Sequence, residues 1–101
     1  MNDSGGTLRW RVRAGADLRW RSWGDDHIVY HGASGDTHRV NAVTAAALRS
    51  LERGPATAEE LRNGIEDALG LDPDPALTER LLDLLWELDD LGIVEPIEYP
   101  R

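Results

Sequence analysis

Residues 34–41 read SGDTHRVN, and this stretch carries a turn, a strand and a helix start in succession. Ser34-Gly35-Asp36 is turn chemistry, because Gly reaches positive φ and the Ser and Asp side chains can bond nearby backbone. Thr37 to Val40 alternates and includes β-branched residues, the pattern of a short strand. Asn41 suits an N-cap, accepting from an N–H two or three residues on, and the Ala-rich run behind it favours helix. A strand that enters a helix without a linker fixes the angle between the two. The fold is therefore expected to pivot here, with strands before Asn41 and helices after it.

Towards the N-terminus, His27 to His31 forms a strand with Ile28 and Tyr30 opposite Val29, and Gly32 to Gly35 closes a hairpin onto Thr37–Val40. Gly24-Asp25-Asp26 turns the chain back into Leu18–Trp23, where Leu18 and Trp20 alternate with Arg19 and Arg21. After the break at Ala14-Gly15-Ala16-Asp17, Thr7–Arg13 alternates in the same way, with Leu8, Trp10 and Val12 against three arginines. The expectation is a three-stranded antiparallel meander plus an extra N-terminal strand. Residues 1–6 are expected to be disordered and 98–101 to form a tail, with one domain over 7–97.

Towards the C-terminus, a first helix is expected over 42–53, with Val43, Ala47, Leu48 and Leu51 on one face. Gly54 is expected as a left-handed cap and Pro55 as the stop. Thr57-Ala58-Glu59-Glu60 is a capping box opening a second helix, striped by Leu61, Ile65, Ala68 and Leu69 and closed by Gly70. Asp74 caps a third helix, with Pro75 at its first position, where the missing N–H costs nothing. In this last helix Leu77, Leu81, Leu84, Leu88 and Leu91 form one stripe. Leu82, Leu85 and Trp86 lie beside it, giving an apolar arc wider than the usual ~100°. Gly92 ends the helix, and Ile93-Val94 is expected as a short closing strand that Pro96 cuts off.

Composition narrows the chemistry. Among 101 residues there is no cysteine, which excludes disulfides, thiolate metal sites and a cysteine nucleophile. Nothing reads as a signal peptide or a membrane span, so a cytoplasmic location is expected. The net charge of −8 is uneven: residues 1–23 carry +3, 24–53 carry −1 and 54–101 carry −10. His27 and His31 are four apart, but on a strand that is roughly 13 Å, too far for one metal ion. His38 stands alone and reads as a surface or packing residue. No nucleophile elbow and no phosphate-binding glycine pattern occurs. The acids on the second and third helices would repel a duplex. Catalysis and nucleic-acid binding are thus both disfavoured. An open last strand beside an apolar helix leaves strand addition by an extended peptide.

These residues bring a family into view. The order of three strands and three helices resembles the PqqD-like peptide chaperones, the RiPP recognition elements that bind precursor leader peptides. Within that family, Trp20 to Pro96 is similar to the branch found beside HPr kinase-related proteins, through WRSWGDDHIVYH, SGDTHRVN with its Ala-rich helix, Gly54-Pro55, and LDDLGIVEP. The resemblance implies an α+β, winged-helix-like fold with no catalysis or cofactor of its own. It implies that a leader peptide adds to the third strand of the meander, in a groove towards the third helix. By position, the strand side is Thr37, His38, Arg39 and Val40, and the helix side is Leu81, Leu82, Leu85, Trp86 and Asp89. The implied partners are a precursor peptide and a modifying enzyme of its pathway, HPr kinase-related in this branch, with no nucleic acid and no membrane. Thr7–Arg13 departs from the pattern. It is expected to occupy the groove until a peptide displaces it, either in a monomer or in a swapped dimer. The alternatives are a winged-helix nucleic-acid binder and a structural subunit of an enzyme complex.

Overall fold

The structure, a computed structural model, describes residues 8–97. Thr7, the expected disordered 1–6 and the expected tail 98–101 lie outside the described residues. The elements run β1 (Arg9–Val12), β2 (Leu18–Trp23), β3 (Asp26–His31), β4 (Asp36–Val40), α1 (Ala42–Arg53), β5 (Ala56–Thr57), α2 (Ala58–Leu69), α3 (Ala76–Asp90) and β6 (Val94–Ile97). The class is α+β. An antiparallel sheet β2-β3-β4 precedes three helices, and the extra N-terminal strand lies in a second sheet of order β5-β1-β6.

The junction at Asn41 is built as its residues dictate. Asn41 is extended (φ −81°, ψ 175°), and its side-chain oxygen accepts the Thr44 N–H at 2.8 Å, capping α1. The capping box of α2 is complete: Thr57 Oγ1 accepts the Glu60 N–H at 3.1 Å, and Glu60 Oε1 accepts the Thr57 N–H at 2.9 Å. At the start of α3 the Asp74 carboxylate accepts the Ala76 N–H at 3.0 Å, and Pro75 already has helical dihedrals. The end of α3 is a Schellman motif. Gly92 (φ 80°) donates to the Asp89 carbonyl at 2.9 Å, and Ile93 donates to the Leu88 carbonyl at 3.0 Å.

Two local expectations need correcting. Gly54 is nearly fully extended (φ 159°, ψ 163°) rather than left-handed, because the chain leaves α1 directly into β5, which pairs with β1. Pro96 does not cut off the closing strand. β6 continues through it to Ile97, since β6 is an edge strand and a missing donor is tolerated there.

The core gathers around Trp10, which is fully buried with Leu48, Leu51, Leu61, Ile65, Leu81, Leu85, Ile93 and Val94. Burying side chains of this size stabilises the fold by about 1.5–3 kcal/mol each before entropy is counted. The stripe of α2 is narrower than its apolar spacing suggests. Leu61 and Ile65 are buried, whereas Ala68 and Leu69 are exposed. Glu66 is buried instead, accepting the Asp74 N–H at 2.7 Å and so tying α2 to the loop before α3.

Strand β1 does not lie in the groove. It is hydrogen-bonded on both sides, to β5 and β6, with Arg9↔Thr57 on one side and Val12↔Val94 on the other. The expected displacement of this strand by a peptide is overturned, because Trp10 would have to leave the core with it.

Candidate functional site

Among the described residues strand β4 bonds only to β3, so the N–H and C=O groups of its other edge face outward. Its register separates the four expected strand residues. Thr37 lies opposite Tyr30 and Arg39 opposite Ile28, and both Thr37 and Arg39 are exposed. His38 lies opposite Val29 and Val40 opposite His27; both are half-buried, on the same face as buried Val29. A peptide laid along this edge would therefore present alternate side chains to solvent and to the interior.

Where β4 ends and Asn41 begins, a hollow of about 270 Å³ opens, lined by Asn41, Val43, Thr44, Leu77, Arg80, Leu81 and Leu84. Its helix wall is thus the Leu77, Leu81 and Leu84 stripe at i, i+4 and i+7. Of the helix residues expected at the groove, only Leu81 lines it. Leu82 is half-buried against the core and Leu85 is fully buried. Trp86 stands edge-on to Trp10, with ring centroids 4.7 Å apart and planes at 83°. Asp89 is half-buried, and its carbonyl serves the helix cap. α3 packs mainly on α2 and β6, and Trp86 reaches Trp10 of β1, which leaves the Leu77, Leu81 and Leu84 stripe beside the start of α1.

Arg80 escaped the sequence reading. It was visible as the lone cation among five acids, but nothing local marked it as groove-facing. Its guanidinium meets Asp74 at 3.2 Å. Arg39, on the strand side, lies 3.8 Å from Asp26. Both cations are exposed, so these pairs are weak and available for exchange with a ligand carboxylate.

The histidines share the inner face of the β2-β3-β4 sheet. His31 is buried, its Nδ1 2.9 Å from Ser34 Oγ and its Nε2 without a partner among the described residues. Among the same residues His27 Nδ1 and His38 Nε2 are also buried and unpartnered. Among the described residues no group of His, Asp or Glu has the arrangement to hold a metal ion.

The opposite, outer face of the same sheet holds a second hollow, of about 450 Å³, lined by Arg19, Trp20, Arg21, Trp23, Ile28, Tyr30 and Thr37. Trp20, on the face opposite Arg19 and Arg21 as the alternation requires, packs against the core with its Nε1–H donating to Glu52 at 2.9 Å. Trp23, which the sequence did not mark as a site residue, is 71 % exposed. The signal was present in the alternation, which puts Trp23 on the face of Arg19 and Arg21.

Compared with known proteins, the chain matches no family model, no curated protein and no solved structure. Among the described residues no helix is long and apolar enough to cross a membrane.

Proposed function

We propose that this chain is a non-catalytic, cytoplasmic peptide-binding domain of the PqqD-like kind, which captures a precursor's leader segment and presents it to a modifying enzyme. The observation that carries the reading is the unpaired β4 edge, followed in the chain at Asn41 by an apolar hollow between α1 and α3. An extended peptide added antiparallel to β4 would gain main-chain hydrogen bonds without regard to its sequence. Where it passes Val40 it would reach Leu77, Leu81 and Leu84, which would select an apolar side chain. Arg80, at the same wall, favours a carboxylate near that position. The identity of the modifying enzyme, HPr kinase-related by resemblance, belongs to the same proposal.

The test is a titration of the isotopically labelled domain with the leader of a short precursor encoded beside its gene. Amide shifts are expected along Asp36–Thr44 and Leu77–Leu84, and Leu84→Asp should weaken binding at least about tenfold, some 1.4 kcal/mol. Saturable binding that leaves β4 unperturbed would remove the groove assignment.

A further inference from the structure

The free edge of β2 carries a feature that the groove reading leaves unexplained. Among the described residues β2 bonds only to β3, which leaves its outer edge open along Leu18–Trp23. On the solvent face of that edge stand Arg19, Arg21 and Trp23, all exposed. Arg21 has no hydrogen-bond, ion-pair or ring partner among the described residues. Arg19 has only an exposed pair with Asp17, at 3.3 Å. Beside them Ile28 and Tyr30 form the apolar side of the 450 Å³ hollow. A chain of net charge −8 thus concentrates arginine and aromatic surface at one strand edge, the composition that dominates binding energy in protein interfaces.

We propose that the β2 edge is a second docking surface, which takes an extended acidic segment of a partner protein as an added strand. Arg19 and Arg21 are two residues apart on one face, about 7 Å along the strand. An incoming strand with carboxylates at i and i+2 places each opposite one guanidinium, and an apolar residue at i+4 meets Trp23. A second copy of this chain does not fit. Self-pairing that keeps one face outward and pairs most of Leu18–Trp23 sets Arg21 against Arg21, or Arg19 against Arg21, and like charges directly opposite are destabilising. A nucleic-acid strand does not fit either. Asp17 and Asp36 flank the patch at one end and Asp25 and Asp26 at the other, so a polyanion running past the patch meets carboxylates in both directions. An acidic peptide segment can confine its charge to the space between them.

The experiment uses the full labelled chain at low salt with three probes: an octapeptide alternating glutamate and threonine and ending in leucine, its lysine counterpart, and an eight-nucleotide oligothymidylate. The glutamate peptide should shift the Leu18–Trp23 amides, and Arg21→Glu should weaken that response about tenfold or more. Trp23→Ala should weaken it as well, with the thermal midpoint of both variants near that of the parent. No response at β2, an equal response to the lysine peptide, or a stronger response to oligothymidylate would each overturn the proposal.

Discussion

β1 and β2 contain the same Arg-Trp-Arg core, RWRV in one and LRWRSW in the other, yet they have opposite fates. β1 is the centre of its sheet, with Trp10 fully buried and pairing on both flanks. Its arginines, and Arg13 directly after it, are engaged within the molecule: Arg9 lies 3.8 Å from Glu60, and Arg11 and Arg13 reach Glu95 at 2.8 and 3.3 Å. β2 is an edge strand with Trp20 only half-buried and Arg21 unpartnered among the described residues. The difference lies in what the rest of the chain brings alongside. The acidic C-terminal half supplies β5, β6, Glu60 of α2 and Glu95 of β6 to β1, and among the described residues nothing to the free side of β2. One copy of the motif therefore builds the fold and the other is left for partners.

The sharpest way to break that comparison is to truncate each tryptophan. Trp10→Ala should cost about 3–5 kcal/mol, because the cavity lies among fully packed neighbours. In a domain of this size that is a large share of the total stability. Trp20→Ala should cost roughly 1–2 kcal/mol, since part of its surface is already solvated, although it also loses the bond to Glu52 and the Arg49 guanidinium 4.4 Å above its ring. Urea denaturation of both variants decides it. Equal midpoints would mean that the two sheets bear the fold equally.

A smaller effect is expected at Gly92. Its φ of 80° closes the Schellman motif that turns α3 into β6, the partner of β1. Gly92→Ala should cost about 1–2 kcal/mol through backbone strain. The added methyl itself would be tolerated, 3.8 Å from the nearest ring atom of His31. Thr57→Ala, which removes half the capping box, should cost about 1 kcal/mol. A thermal midpoint unchanged in either variant would show that these terminations follow from packing and do not drive it.

These terminations were legible in the sequence because they are local: Asn41, Thr57 with Glu60, Gly70 and Gly92 each act within one helical turn. The strands were legible for the same reason, since alternation reveals the two faces of a strand. What alternation does not reveal is the neighbour across the edge. Nothing in Thr7–Arg13 distinguished a groove occupant from the centre of a second sheet, because its partners lie beyond residue 55. The helix side of the groove failed similarly. Both arcs of α3 are apolar, and packing on α2, β6 and Trp10, all distant in sequence from one another, fixes which one turns towards Asn41. Leu81 was retained because it lies where the arcs overlap, while Leu82, Leu85, Trp86 and Asp89 went with the other side.

The smallest expected effect sharpens the comparison most. Trp23→Ala and Arg21→Glu should each change stability by no more than about 0.5 kcal/mol, measured by the urea midpoint. Trp23 is 71 % exposed, so truncation removes little buried area. Arg21 loses no partner among the described residues, and reversing its charge places a glutamate in a predominantly acidic protein at a strand that is otherwise basic. A large tryptophan that contributes almost nothing to the fold is costly in exposed apolar surface, and an interface is the physical reason to keep it. If Trp23→Ala instead destabilised the domain by more than 1 kcal/mol, the outer hollow would be a packing surface closed by β2 itself. The contrast between the two Arg-Trp-Arg strands would then be one of degree, and the edge of β2 would lose its claim to a partner.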